Sequence, residues 1–297
     1  MTPYPIDGLP RDRFLTRRDL LPWMTDRELA AAVRVGALLR VRRGVYAHPA
    51  IDPLLRRAAE LGGMLSCVSE LSRRGVWVHD TTAALHVRFP EHGDLRLGRT
   101  AVRHWGACLA PLDRRHGHVA LQDALADAAS CLPLVPAVAA IDSSINLGLL
   151  SGGEAGVALR GRGDLLRLVD GRAESGLETY ARLRLGALGL RCAPQVPLAG
   201  IGVLDLVVED RIDVECDGDA WHSTPEARRR DRRRDAAVLT RGLTPLRFGF
   251  EQLIDPAPDF ELAVIEAVRA HRRVKNAGAK ADRALRRLEK GWFPLRC

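Results

Sequence analysis

At 297 residues, with a formal charge of +8 and 46% hydrophobic but only 5% aromatic residues, the chain is long enough for two domains that each bury a core. The positive excess comes mainly from arginine and favours an anionic partner, nucleic acid ahead of membrane because no apolar run is long enough to span a bilayer. Six cysteines, Cys67, Cys108, Cys131, Cys192, Cys216 and Cys297, form no CxxC pair; this argues against a zinc site and against a disulfide framework, and they read as reduced, mostly buried thiols.

The opening MTPYPIDGLPRDRF has no apolar core and no cleavage site, so the expectation is a cytoplasmic protein. Residues 14–23 and 25–35 then read as two short helices. Thr25 and Glu28 form a capping box for the second, Leu29, Ala32 and Val33 give it an apolar stripe, and Gly36 ends it. The next stretch, LLRVRRGVYA, alternates as a hairpin with Gly44 at its turn. Two helices and a basic hairpin outline a winged helix-turn-helix, in which Arg27, Arg34, Arg40, Arg42 and Arg43 are placed to meet DNA. Further on, residues 58–74 read as helix, 86–89 and 101–105 as short strands, and 121–150 as helix broken at Pro133 and Pro136. The glycine-rich loop 151–164 matches neither a P-loop nor a dinucleotide fingerprint. It opens a helical connector over 152–176.

From Ser175 the pattern changes. Glu178, Ala181, Leu185 and Leu188 share one helix face, which turns Glu178 inward. Its carboxylate is either held at the helix N-terminus by the dipole or aimed at an acidic hairpin over 203–217; because the helix directly precedes those strands, the second is favoured. Residues 191–198 read as a strand. In residues 203–208 and 212–217 side chains alternate between faces, so Asp205 interrupts an apolar strand while Asp213, Glu215 and Asp217 share a face of the next. A hairpin loop of Glu209, Asp210 and Arg211 centred on Asp210 sets Asp205 opposite Glu215. Directly opposed residues have Cβ atoms roughly 4.5–5.5 Å apart, and like charges there repel. A hard cation such as Mg²⁺, held by one or two carboxylates with water and phosphate oxygens, relieves that repulsion.

Ser223 and Glu226 then make a capping box for a helix through RRRDRRRDAAVLTRG. Its arginines, Arg228, Arg229, Arg230, Arg232, Arg233 and Arg234, surround Asp231 and suit a phosphate backbone. Residues 244–250 read as a strand and 260–271 as an amphipathic helix. The basic tail from Arg272 reads as frayed or helical on the surface.

The segment FLTRRDLLPWMTDRELAAAVRVGALLRVRRGVYA resembles the winged helix of AbiEi-type antitoxins over about the first 50 residues, and more loosely to about residue 150; it implies DNA binding. The order helix with Glu, strand, strand with Asp, strand with Glu-x-Asp, basic helix, strand, helix resembles the PD-(D/E)xK nucleases. More narrowly, ECDGDAWH followed by RRRDRRRDAAVLTRGLTPLRF resembles Vsr-like (very-short-patch-repair-type) endonucleases over roughly residues 175–270. That resemblance implies that Asp205 bridges metal and scissile phosphate, that Glu215 is the second acidic ligand, and that Glu178 contributes directly or through water. Asp217 stands where many nucleases of the fold carry lysine, a departure that the Vsr-like group shares. His222 is then the first candidate for the base that takes a proton from the attacking water. Asp231 would orient His222 or an arginine, and Arg228 or Arg234 would bind phosphate.

The expected architecture is a multidomain α/β chain: a winged helix-turn-helix over 1–50, a mostly helical antitoxin-like connector over 51–174, a three-layer α/β/α restriction-endonuclease-like domain with a mixed central sheet over 175–271, and a basic tail over 272–297. The expected activity is Mg²⁺-dependent DNA endonuclease, with Mn²⁺ as substitute and no organic cofactor. Its substrate is DNA that is duplex, mismatched or branched; homodimerisation is open, and repair, defence and mobile-element roles are all compatible. The alternative is a non-catalytic, antitoxin-like DNA-binding regulator on a degenerate nuclease fold.

Overall fold

The computed structural model describes residues 8–79, 84–90, 101–218, 225–255, 257–271 and 275–290. Across them the chain is mixed α/β with three sheets, and it separates into two compact units, Met1–Cys131 and Leu132–Cys297. No helix among the described residues is long and apolar enough to cross a membrane.

The first unit begins with β1 (Leu15–Thr16), α1 (Arg17–Leu20), α2 (Asp26–Arg34), β2 (Leu39–Arg42) and β3 (Val45–Ala47). Thr25 Oγ1 accepts the Glu28 N–H at 3.3 Å while Glu28 takes the Thr25 N–H at 2.7 Å, which starts α2 where its capping residues predict. The expected helix over 14–23 is shorter. Thr16 and Asp19 make a second capping box that begins α1 only at Arg17, and Leu15 and Thr16 are drawn into antiparallel pairing with β3. Gly44, at φ 75°, makes the β2–β3 turn in a conformation that a side chain would strain. The sheet order is β1-β3-β2, and Leu20, Leu29, Leu38 and Tyr46 fill the core beneath it.

Next come α3 (Pro53–Glu60), β4 (Met64–Leu65), α4 (Cys67–Arg73), β5 (Leu85–Arg88), β6 (Ala101–His104) and α5 (Leu121–Cys131). The single helix expected over 58–74 is cut in two by close packing at Gly63. A Cβ there would fall 2.3 Å from Val87 Cγ1 and 2.7 Å from the Arg88 carbonyl. Met64 and Leu65 therefore pair antiparallel with β5, which in turn pairs parallel with β6.

The second unit holds α6 (Leu134–Asn146), α7 (Gly152–Ala158), α8 (Gly163–Leu166), α9 (Gly176–Ala187), β7 (Cys192–Leu198), β8 (Gly202–Val208), β9 (Ile212–Asp217), α10 (Pro225–Thr240), β10 (Thr244–Gly249), α11 (Phe250–Ile254), α12 (Asp259–Ala270) and α13 (Lys275–Glu289). Pro136 does not break α6. It lies in the first turn, where its missing N–H removes no helical bond. The sheet order is β10-β9-β8-β7, with β10 parallel to β9 and the other pairs antiparallel. The basic tail continues as α13, which packs on α12 and buries Ala281 and Ala284.

Helix α9 is the post of this unit. Asp142 on α6 holds it by accepting from Thr179 Oγ1 at 2.9 Å and Arg182 Nη2 at 2.8 Å. On the other side Arg184, itself buried, pairs with Glu261 of α12 at 2.6 and 2.7 Å and donates to the carbonyls of Leu253, Asp255 and Ala257. Removing one partner of a buried, hydrogen-bonded pair typically costs about 3–5 kcal/mol. Arg184→Ala should lower the unfolding free energy by about that amount in urea titrations, and Arg184→Leu combined with Glu261→Leu should recover part of it. A single-variant loss no larger than that of a surface substitution would contradict this placement.

Candidate functional site

Strands β8 and β9 pair Leu206 with Val214, Val207 with Asp213 and Val208 with Ile212. The connection is Glu209, Asp210 and Arg211, with Glu209 and Asp210 both in the left-handed region at φ 51° and 56°. Each has a partner there: Glu209 accepts the Arg191 N–H at 2.7 Å and Lys280 Nζ at 3.1 Å, and Asp210 pairs with Arg191. Carried one step beyond Leu206–Val214, the same register sets Asp205 across from Glu215. The Cys216 N–H donates to Asp205 Oδ2 at 2.9 Å, pinning the carboxylate against the neighbouring strand.

Period-two alternation puts Asp205, Asp213 and Glu215 on one face, while Leu204, Leu206, Ile212 and Val214 are fully buried on the other. Asp213 and Glu215 are themselves buried, at 1% and 3% exposure. Burial raises the pKa of all three carboxyls; repulsion from Asp205 adds to it at Asp213, Asp205 and Asp213 together add to it at Glu215, and Asp217 and Glu174 add to it at Asp205. Asp213 is pushed up to about 6 and Glu215 to about 8. Among the described residues Asp213 Oδ1 and Glu215 Oε1 have no hydrogen-bond partner. Two ionised carboxylates cannot bond to each other, whereas a proton or a cation between them satisfies both.

Two arginines answer this charge. Arg234 of α10 donates from Nη1 to Glu215 Oε2 at 2.6 Å and from Nη2 to the Val203 carbonyl. Arg247 lies beside Glu215 in the parallel β9–β10 register, 3.8 Å from its Oε2 and 3.7 Å from Asp217 Oδ1, and is steadied by Asp235 at 2.8 Å. Surrounding carboxylates raise the Arg247 pKa against the opposing effect of burial.

Glu178 is buried at the third position of α9, its N–H capped by Ser175 Oγ. Its Oε2 accepts the Glu174 N–H at 3.0 Å and Gln195 Nε2 at 2.8 Å. Burial raises its pKa, and Asp205 contributes in the same direction. Gln195 sits in β7 at φ 54°, in a gap of the β7–β8 register between the pairs Pro194–Leu206 and Val196–Leu204, hence across from Asp205.

Glu178, Asp205 and Glu215 thus gather where three elements meet, with Asp213 among them, but their oxygens do not close on one point. Among the described residues, the group of three or more potential ligands with all ligating atoms within 4.8 Å of one another is Cys67, His86, His104 and Cys131 in the first unit. The all-oxygen donor set and the orphaned Glu215 Oε1 fit a hard divalent ion such as Mg²⁺.

Asp217 ends β9, partly exposed beside Arg247. Asp231 is exposed on α10, with Arg229, Arg230, Arg232 and Arg233, while Arg234 is turned inward. His222, and with it Ser223, lies outside the described residues, as does the Arg228 side chain. In the first unit Arg27, Arg34, Arg40 and Arg43 are exposed; Arg42 is half-buried, with its pKa lowered by burial and by Arg114. Sequence reasoning did not single out Asp213, Gln195 or Arg247. Asp213 carried a signal, two positions before Glu215 in a strand. Gln195 carried none, since its role depends on a break in register.

A scan against models of protein families matches none, and a search of curated proteins returns no match.

The raised pKa values carry a stability consequence. Between the ordinary carboxyl range and the raised values of about 6 and about 8, the folded chain binds more protons than the unfolded one. Stability should therefore fall as pH rises through that window. Chemical unfolding in chelator should show this decline from pH 5 to 8, and Glu215→Gln should flatten it. A decline of equal size in the variant would remove Glu215 as its source.

Proposed function

We propose that this protein is a metal-dependent DNA endonuclease whose C-terminal part is Vsr-like, within the PD-(D/E)xK superfamily, and whose first residues form an AbiEi-like winged helix that positions it on DNA. The observation that carries this reading is the burial of Asp213 and Glu215 beside Asp205, with oxygen atoms that no described donor satisfies. A buried like-charge cluster is destabilising unless it takes up a proton or a cation, and a cation is the one that also serves phosphodiester hydrolysis. Further support comes from the element order α9-β7-β8-β9-α10-β10-α11-α12, which follows the order that the resemblance implies with the short α11 added before the last helix.

Asp205 and Glu215 would hold Mg²⁺, with Glu178 contributing. Bound there, the ion polarises the phosphoryl oxygen and lowers the pKa of water. Gln195 fixes the Glu178 carboxylate, and the Cys216 N–H fixes Asp205, so both are oriented before substrate arrives. The planar donors of Arg234 match a phosphate as well as they match Glu215. No lysine occurs between residues 175 and 271, so a lysine from within this segment does not take the water's proton. His222 is assigned that role because imidazole titrates near neutral pH. The exposed arginines of α10, and Arg27, Arg34, Arg40 and Arg43, supply the contacts to the DNA backbone. The proposed setting is the cytoplasm.

One observation favours the regulator as a second reading: Arg234 already neutralises Glu215 at 2.6 Å, as the internal counter-ion of a retired site would. Cleavage of plasmid, mismatched and branched DNA by the full chain with Mg²⁺ or Mn²⁺ separates the two. Wild type should cut, Asp205→Asn and Glu215→Gln should each lose about a hundredfold or more, and His222→Ala should lose rate at neutral pH. If DNA is bound with steep salt dependence and never cut, the regulator reading replaces the nuclease.

A further inference from the structure

We propose that the first unit carries a structural zinc site, ligated by Cys67, His86, His104 and Cys131. It belongs to the first unit alone and does not depend on the nuclease reading.

The four side chains come from four elements: Cys67 from the start of α4, His86 from β5, His104 from β6 and Cys131 from the end of α5. Their ligating atoms all lie within 4.8 Å of one another. In tetrahedral zinc, with Zn–N near 2.0–2.1 Å and Zn–S near 2.3 Å, ligand nitrogens sit about 3.3 Å apart and a nitrogen and a sulfur about 3.6 Å apart. Here His86 Nδ1 and His104 Nε2 are 3.2 Å apart, and Cys131 Sγ is 3.9 Å from His86 Nδ1. Two of the six edges thus lie close to those of a coordination tetrahedron, and the other four are no longer than 4.8 Å.

The sheet explains how the two histidines meet. In the parallel β5–β6 register His86 aligns with Val102 and Arg88 with His104, so His86, Arg88 and His104 share one face, the histidines diagonal to each other. Val87 on the other face packs into the apolar core with Phe89 and Leu65. A buried sheet face is thus given over to imidazoles instead of aliphatic side chains. Cys67 reaches the cluster from a left-handed backbone, φ 50°, which costs a non-glycine residue energy that a ligand bond can offset.

His104 is also oriented as a metal-ligating histidine is. Its Nδ1 lies 3.6 Å from Asp127 Oδ1, and that carboxylate is held by Arg88 from Nε at 3.0 Å and Nη2 at 2.5 Å and by Ser66 Oγ at 2.5 Å. A proton on Nδ1 would face Asp127 at ion-pair distance and leave the Nε2 lone pair for the cluster; a small closing movement would complete the carboxylate–histidine–metal arrangement. The donor set of two sulfurs and two nitrogens selects zinc over Mg²⁺ or Ca²⁺, and four protein ligands close the coordination sphere. Binding converts two thiols to thiolates and releases two protons; the resulting centre, Zn²⁺ with two thiolates and two neutral imidazoles, carries no net charge and suits burial. Cys131, exposed at the end of α5, gives the ion a way in.

The test uses the full chain purified in reductant, with metal content measured and Co²⁺ added to chelator-treated protein. Expected are one zinc per chain as purified, and one Co²⁺ giving the intense visible bands of tetrahedral coordination together with thiolate-to-cobalt charge transfer, both abolished by one equivalent of Zn²⁺. Cys131→Ser, at the exposed corner, should lose part of the charge-transfer band and weaken binding while the fold, followed by circular dichroism, is kept. Reduced wild type that takes up no Co²⁺ stoichiometrically, or Cys131→Ser with unchanged spectra, would overturn the site. So would a Cys67–Cys131 disulfide whose reduction brings no metal uptake.

Discussion

Carboxylates buried side by side on neighbouring strands repel, and the second unit is arranged to contain that repulsion. Asp205, Asp213 and Glu215 occupy one face of β8–β9, and burial, with repulsion from Asp205 and Asp213 added to it, pushes Glu215 up to about 8. The parallel placement of β10 on β9 brings Arg247 alongside, and α10 returns Arg234 to Glu215 and Asp235 to Arg247. On the other flank a break in the β7 ladder turns Gln195 onto Glu178. Attraction in a buried ion pair rarely exceeds the cost of desolvating it. A cluster of this kind is a poor source of stability, and on the proposed reading it is kept for the cation it would hold.

The contrast with Arg184 is instructive. Its guanidinium also lies buried against a carboxylate, yet its donors meet Glu261 or a backbone carbonyl, and the Phe260 ring lies 5.4 Å from its centre. That site is closed and joins α9 to α11 and α12. The acidic face is open by comparison, with two oxygens left over. The first unit holds a polar face of a third kind, where imidazoles and thiols converge under an anchored carboxylate. One chain thus buries polar groups for rigidity and, by our proposals, for a hard cation in the second unit and a soft-ligand metal in the first.

How much of this was legible in the sequence depends on the range of each interaction. Alternation in residues 203–217 fixed which carboxylates share a face, and the helical period set Glu178 inward, because both are local periodicities. The Thr25–Glu28 capping box was readable for the same reason. The cut at Gly63 was not, since it is imposed by Val87 and Arg88 more than twenty positions away. The resemblance pointed to Arg228 or Arg234 on α10 as phosphate ligands, but nothing local showed that Arg234, alone of the arginines there with described side chains, reaches Glu215. The four Cys and His residues escaped because a spacing rule sees pairs within a motif, and these ligands are brought together only by β5–β6 pairing and the packing of α4 on α5.

The central claim, that the β8–β9 carboxylates form a cation site, is tested most directly by titrating Mn²⁺ into the full chain at neutral pH while monitoring the free-ion electron paramagnetic resonance signal and proton release. Mn²⁺ prefers oxygen donors, so the Cys and His cluster does not compete for it. The account predicts saturable binding by wild type with release of protons from the raised carboxyls, lost in Asp205→Asn and in Glu215→Gln. Absence of binding by wild type, or equal binding by both variants, would contradict it.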